Sequence, residues 1–171
     1  MTVFNILESD LQVNRNKIVA ACISFVAGWE GVSYVVYKDI GGVDTVCHGQ
    51  TGSEAIIGKV YSPQECSAML EKELYSFADH VNNRVPAAPL SVKAAFTSFS
   101  YNVGKSGFDS SRAMREAQRG NYKEACRALA YSPSGSPAWS FITQGKKKVF
   151  VQGLHNRRIA EMEFCMKDLN V

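Results

Sequence analysis

A run of irregular backbone between Gly31 and Gly52 limits the possible folds of this chain more than any other part of the sequence. It follows an amphipathic helix predicted over residues 17–30, in which apolar side chains recur every three or four positions and Gly31 supplies the C-terminal cap. The run itself alternates β-branched and aromatic residues with glycine turns, which predicts short antiparallel strands joined by hairpins. The chain therefore changes from a helix to a small sheet directly after Glu30.

Helical signals resume beyond this run. Ser62 and Glu65 have the pattern of a capping box, with a proline at the first helical position, which predicts a long helix over residues 62–82. Further helices are predicted with Ser91 as an N-cap and Gly104 as a terminator, and a last amphipathic helix closes the chain.

Length and composition set the domain organisation. A chain of 171 residues, 46% hydrophobic and 20% charged, can bury one core but is too short for two ordinary domains. We therefore expect one α+β domain over residues 1–171, mostly helical. Its expected parts are a β-containing lobe near residues 30–61, the connecting helix 62–82, and a helical lobe over 83–171 on which the helix 17–30 packs.

Charge and hydropathy narrow the range of partners. The longest apolar run, from Ile18 to Gly28, is shorter than the roughly 20 residues that span a bilayer. The net charge of +3 is small, but the C-terminal third concentrates basic residues at Lys146–Lys148, Arg157 and Arg158, which predicts attraction to acidic polymers. We expect a monomer with no nucleic-acid partner and no stable membrane insertion.

Five cysteines are scattered without a C-x-x-C pair or a neighbouring histidine at zinc spacing, so we expect neither a metal site nor a cofactor. Their odd number fits synthesis in a reducing compartment, where disulfides are optional. The sequence leaves their pairing open, and we expect the strand and helix cysteines to pack mostly as small hydrophobic residues. The five are Cys22, Cys47, Cys66, Cys126 and Cys165.

Glu30 and Asp39 are the only carboxylates between residues 11 and 43. Glycoside hydrolysis uses two such acids, of which one protonates the leaving oxygen while the other stabilises the sugar cation or directs water at it. Glu30 lies beside Trp29 at a helix C-terminus, which disfavours its ionised form, whereas Asp39 in a glycine-rich turn should stay charged. Thr45 adds a hydroxyl that can hold the attacking water.

The spacing of these three residues resembles the phage endolysins of glycoside hydrolase family 24, the T-even phage lysozyme family. Its signature is Glu, eight residues, Asp or Cys, five residues, Thr, and Glu30, Asp39 and Thr45 have that spacing. The segments LSVKAAFTSFSYNVG and GLHNRRIAE are similar to two further family motifs, so the resemblance covers about residues 18–166. It implies a lysozyme-like fold.

The resemblance also implies a function. The chain would be a muramidase that hydrolyses the β-1,4 bond between N-acetylmuramic acid and N-acetylglucosamine in bacterial peptidoglycan. It would be made in the host bacterial cytoplasm and released to the periplasm and cell wall at lysis. The implied roles are proton donor for Glu30, opposing carboxylate for Asp39, water holder for Thr45, partner of the acid for Arg157, and substrate binding for Tyr101 and Asn102.

Two other functions stay open at this stage. A lytic transglycosylase would use the acid but would need neither Asp39 nor Thr45. A catalytically silent cationic wall-binding protein of the same fold would need none of the three. Away from the acids, we expect Trp29 and Tyr37 to lie in the core and His48 to be an ordinary strand histidine.

Overall fold

The computed structural model describes residues 3–39 and 41–169, with side chains from residue 12 onward. The α+β, mostly helical character predicted from the sequence is confirmed. In chain order the elements are α1 (Val3–Glu30), β1 (Ser33–Lys38), β2 (Asp44–Cys47), β3 (Gln50–Thr51), α2 (Pro63–Arg84), α3 (Leu90–Ser110), α4 (Arg112–Gln118), α5 (Tyr122–Ala130), β4 (Phe141–Gln144), β5 (Lys147–Phe150) and α6 (Gln152–Met166).

Helix α1 is longer than predicted because it begins at Val3 instead of residue 17, but it ends at Glu30 as expected. Gly31 has a φ of +66°, a left-handed conformation that turns the chain out of the helix at little cost for a glycine. The buried face of α1 packs on α2 and α3. The side chains in this contact are Ile18, Val19, Cys22, Val26, Leu70, Leu74, Ala78 and Ala94.

The three-stranded antiparallel sheet has the order β1-β2-β3, and β2 therefore has a strand on each side. Thr45 lies opposite Tyr37 of β1 and Thr51 of β3. Val46 and Cys47 are buried in a small cluster with Tyr61 and α2 residues. The sheet is thus fixed to the side of α2 through its central strand.

The capping box predicted for α2 is confirmed, since Ser62 accepts from the Glu65 N–H while the Glu65 carboxylate accepts from the Ser62 N–H. The N-cap predicted at Ser91 is wrong. Ser91 lies inside α3, where its N–H donates to the Asp168 carboxylate and its hydroxyl donates to the Cys165 carbonyl, so residues from the chain end satisfy this helix start.

The largest core cluster joins α3 to α4, α5 and α6. Phe108 lies at its centre with edge contacts to Phe96 and Phe99, and all three rings are fully buried. Gly104 ends the first helical stretch of α3 as expected, with a non-helical φ of +79°, and a second helical stretch beyond this kink carries Phe108 into the core. The division into two lobes of a single domain stays a prediction.

Candidate active site

Glu30 ends α1 with its side chain 21% exposed, and Arg157 of α6 lies against it. The Arg157 Nη1 donates to Glu30 Oε1 at 2.5 Å, across 127 positions of sequence. Within the described residues, the second oxygen, Oε2, accepts no hydrogen bond. The carboxyl group is therefore oriented by one oxygen and keeps the other available for a ligand.

Arg157 is itself held by a buried cluster. Glu161, fully buried, accepts from Arg157 Nε at 3.2 Å, from Arg158 Nη2 at 3.0 Å and from the Ser98 hydroxyl at 2.7 Å. Burial raises the pKa of Glu161, although both arginines oppose that rise, and burial lowers the pKa of Arg158 to about 10. Because two glutamates and two arginines alternate in this cluster, Arg157 is fixed beside Glu30.

Asp39 follows the end of β1 and organises the turn that leads to β2. Its Oδ1 accepts from the N–H groups of Gly41 and Val43, both at 2.8 Å, and its own N–H donates to the Val43 carbonyl. A side chain that accepts from backbone N–H groups just ahead of it is a common way for aspartate to fix a turn. Oδ2 accepts no hydrogen bond from the described residues, so Asp39 too keeps one free oxygen.

Thr45 lies in the central strand with only 3% of its surface exposed. Its hydroxyl donates to the Val43 carbonyl at 3.0 Å. That bond uses the only proton of the hydroxyl and leaves its oxygen able to accept. Any water at Thr45 would therefore donate a hydrogen bond to the threonine.

A second group of hydrogen bonds holds the sheet against Gly31, the residue after the acid. His48, which lies in the β2–β3 turn and not in a strand as expected, binds the Gly31 carbonyl through Nδ1 at 2.6 Å. A carbonyl only accepts, so this nitrogen carries the proton. The Tyr101 hydroxyl lies 3.3 Å from the His48 carbonyl and 3.4 Å from Glu73 Oε2, and burial followed by the Glu73 charge raises the pKa of Tyr101.

The two residues expected to bind substrate differ in their surroundings. Tyr101 is half-buried and held by the protein, whereas Asn102 is exposed and makes no side-chain hydrogen bond to the described residues. The expectation that Trp29 and Tyr37 are core residues is wrong, since they are 37% and 44% exposed. Both rings flank the acids in the sequence and present apolar surface that a sugar can contact.

The fold separates the basic residues that the sequence concentrates in the C-terminal third. Lys146, Lys147 and Lys148 are exposed, but Arg157 and Arg158 are buried and paired with glutamates. The expectation that all five cations form one surface is therefore wrong. Only the lysines face solvent, whereas the arginines belong to the interior of the site.

Metal binding has no support within the part of the chain that the structure describes. There, no three His, Cys, Asp or Glu side chains cluster closely enough to hold a metal ion. The expectation that the protein needs neither a metal nor a cofactor stays a prediction.

Glu30, Asp39 and Thr45 lie within a longer stretch of the chain that is similar to known proteins. A family model described as phage lysozyme matches residues 27–161. The chain belongs to the phage lysozyme family. It is a peptidoglycan-degrading endolysin, as the resemblance of its Glu30, Asp39 and Thr45 motif to that family implies.

Relatives agree with this family, and a solved structure agrees with the fold. The SAR-endolysin of Enterobacteria phage P21 is 38% identical over 141 residues, which is 81% of this phage lysozyme and 78% of that protein. The SAR-endolysin of Pseudomonas phage phiKMV is 33% identical over 155 residues, 90% of this chain and 91% of that one. The muramidase domain of SpmX from Asticaccaulis excentricus has a TM-score of 0.75 at 22% identity, covering 86% and 95% of the two chains. The lysozyme-like fold is thereby confirmed.

No structural role was predicted from the sequence for two polar residues of this chain, Gln50 and Glu73. Gln50 is 4% exposed and bridges the sheet to α2, since its Oε1 accepts from the His48 N–H and its Nε2 donates to Glu73 Oε2 at 3.0 Å. Glu73 is one of several acids along α2, and no spacing in the sequence distinguishes it. Glu161 did appear, as the last residue of the GLHNRRIAE motif, but without a role.

Four of the five cysteines do not pack as separate thiols, contrary to expectation. Cys47 of β2 is bonded to Cys66 of α2, and Cys126 of α5 to Cys165 of α6. Cys22 remains a thiol in α1, where burial raises its pKa to about 12 and leaves it unreactive as a nucleophile. The bridges therefore add covalent links at the sheet and in the helical core.

We expect the two disulfides to affect function differently. Replacing Cys47 and Cys66 with alanine should destabilise the fold by about 3 kcal/mol and lower activity, because the bridge fixes the strand of Thr45. Replacing Cys126 and Cys165 should cost about 4 kcal/mol because the closed loop is longer, with a smaller loss of activity per folded molecule. Urea denaturation and turbidity clearing at a temperature where both variants are folded would check this. Equal activity losses for the two variants would show that the Cys47–Cys66 disulfide stabilises the fold without a specific effect on the site.

Proposed function

We propose that this endolysin is a muramidase that hydrolyses the β-1,4 bond between N-acetylmuramic acid and N-acetylglucosamine. In this proposal Glu30 is the general acid, and Asp39 and Thr45 hold the attacking water. The observation that carries it is that Glu30 at the end of α1 and Asp39 in the β1–β2 turn are each fixed through one carboxylate oxygen, while the other oxygen accepts no hydrogen bond from the described residues.

The fixed orientation of Glu30 supports its role as the acid. Arg157 holds Oε1, while His48 and Tyr101 fix the backbone just beyond, so Oε2 is presented in one direction. A proton donor must lie within hydrogen-bond reach of the leaving oxygen, and a rigid donor keeps that geometry without an ordering cost at each turnover.

The hydrogen-bond directions at Thr45 support its role with water. A water that donates one proton to the Thr45 oxygen and the other to Asp39 Oδ2 has a lone pair left for the sugar carbon. As the bond to the sugar forms, Asp39 can take the proton that the water loses. This is the arrangement of an inverting glycosidase, in which one carboxyl protonates the leaving group and the other activates water.

Digestion of purified peptidoglycan in water enriched in ¹⁸O tests the reaction type. We expect fragments that end in reducing N-acetylmuramic acid and carry one ¹⁸O atom, detected by mass spectrometry. Glu30→Gln protein, digested in parallel, controls for contaminating activity. Fragments lacking one water, closed as an anhydro sugar, would instead identify a transglycosylase, and no soluble fragments would identify a silent binder.

The stereochemistry of the product provides a separate prediction. If water attacks from the face opposite Glu30, the two carboxyl groups must be about 6.5 to 9.5 Å apart and the β-linkage must yield an α-anomer first. Proton NMR of the anomeric signals within the first turnovers, before mutarotation, measures this. A β-anomer as the first product would show that Asp39 is a nucleophile and that Thr45 does not hold the attacking water.

We further propose that the mature enzyme works in the periplasm. Disulfides persist in oxidising compartments, and the two bridges join elements of the site and of the core. The relatives from phages P21 and phiKMV are named SAR-endolysins. Within residues 3–39 and 41–169, no helix combines the length and apolar character that crossing a membrane requires. Residence in the host cytoplasm before release stays a prediction, as do the monomeric state and the lack of a nucleic-acid partner.

A further inference from the structure

Strands β4 and β5 form a hairpin that the sequence analysis did not anticipate. Four register pairs join them, from Phe141 opposite Phe150 to Gln144 opposite Lys147, around a two-residue turn at Gly145 and Lys146. Gly145 has a φ of +60°, which a glycine supplies at the first central position of a tight hairpin turn. All eight strand residues are exposed, so both faces of the hairpin are accessible in the described structure.

The side chains are ordered along the hairpin. At its base the Phe141 and Phe150 rings contact each other at 5.6 Å between centroids, and Phe150 also lies 5.6 Å from the His155 ring of α6. Ile142 and Val149 form the next pair, 42% and 37% exposed. The hairpin therefore carries apolar side chains near the body of the protein and polar ones towards the turn.

Positive charge concentrates at the turn end of the hairpin. Lys146, Lys147 and Lys148 occupy the turn and the first half of β5, and none of them forms an ion pair with the described residues. No acidic residue occurs in the sequence between Glu124 and Glu161. Three lysines held close together without counter-charges repel one another, so a polyanionic partner would relieve the repulsion.

We propose that this hairpin is a wall-binding arm, whose lysines pair with the free carboxylates of the stem peptides that branch from peptidoglycan. This inference rests on the proposed function, because it assigns a second contact with the same polymer. Sugar rings present apolar faces that pack on aromatic and aliphatic side chains, which suits the base of the hairpin. The carboxylate-bearing peptides project away from the glycan, where the lysine-bearing turn would meet them.

The order of side chains argues against a lipid bilayer as the partner. A hairpin that enters the membrane interface would place its apolar residues at the tip and its cations behind them. Here the cations occupy the tip, and the apolar pairs lie at the base. Charge complementarity thus favours an anionic polymer that the tip can reach without leaving water.

Binding to purified sacculi tests the arm independently of catalysis. In the Glu30→Gln background, which is expected to bind without cleaving, Lys146, Lys147 and Lys148 are replaced together with glutamine. The matched control replaces Lys17, Lys123 and Lys167 with glutamine. These lysines are exposed and unpaired in the described structure, and replacing them removes the same total charge as the hairpin variant does. We expect the hairpin variant to raise the dissociation constant about tenfold and the control less than twofold.

A second substrate distinguishes peptide from glycan recognition. On sacculi stripped of stem peptides by an amidase, the hairpin variant and its parent should bind equally. Equal losses for the hairpin and control variants on intact sacculi would overturn the proposal in favour of general charge attraction. Tighter binding of the parent to phosphatidylglycerol vesicles than to sacculi would also overturn the proposal. A dimer seen in sedimentation for the parent but not for the hairpin variant would do the same. One outcome separates the two proposals. If the enzyme with Glu30 intact releases no fragments, but binding to sacculi still depends on the hairpin lysines, only the muramidase assignment is rejected.

Discussion

Replacing Glu30 with glutamine is expected to lower wall-clearing activity by about 10² to 10⁴-fold. The amide has the shape of the carboxyl group but cannot protonate the leaving oxygen. Its oxygen can still accept from Arg157, which also keeps Glu161 as a partner, so the site should stay assembled. Initial rates of turbidity clearing, together with circular dichroism and thermal denaturation, would measure the effect.

Glu163→Gln is the matched control for this experiment. Glu163 is an exposed glutamate on α6 that forms no ion pair within the described structure, so its replacement should leave the rate within twofold of the parent. A Glu30→Gln enzyme that clears walls within threefold of the parent would remove Glu30 from the role of general acid.

Replacing Glu161 with alanine is expected to destabilise the fold by about 3 to 5 kcal/mol. The change leaves Arg158 fully buried without a carboxylate, and leaves Arg157 with Glu30 alone. It also removes the acceptor of the Ser98 hydroxyl. Urea denaturation followed by circular dichroism would give the free energy of unfolding.

Two further variants separate the loss of charge pairing from the loss of packing. Glu163→Ala, on the exposed face of the same helix, should change stability by less than about 0.5 kcal/mol. The double variant Arg158→Met with Glu161→Met removes this buried charge pair, leaves Arg157 paired with Glu30, and should recover much of the lost stability, since apolar residues of similar volume can replace a buried pair. A Glu161→Ala protein within 1 kcal/mol of the parent would show that the cluster is not a stabilising unit.

The structure also changes how the charged end of the molecule is understood. From the sequence, Arg157 and Arg158 belonged to one basic surface with the three lysines. Burial separates them, because α6 turns both guanidinium groups inward to Glu30 and Glu161. A salt-sensitive contact with the wall therefore depends on the lysines of the hairpin, while the arginines serve the acid and the core.

Local rules were enough to predict several elements of the fold from the sequence. The end of α1 at Glu30 follows from Gly31, and the start of α2 follows from the capping box of Ser62 and Glu65. In each case the deciding groups lie within a few residues of one another, so the sequence itself brings them into contact. The family was indicated by resemblance instead, because its signature residues Glu30, Asp39 and Thr45 lie in one short stretch of the sequence.

Contacts between distant parts of the chain were decided only by the tertiary structure. The Asp168 carboxylate satisfies the start of α3 at Ser91 across 77 positions, and the Arg157–Glu30 pair joins residues 127 positions apart. No local pattern indicates such partners, because they meet only when helices pack in one arrangement. The disulfide pairs depend on the same packing, since four cysteines in separate elements can pair in several ways until the fold brings two pairs of sulfur atoms within bonding distance.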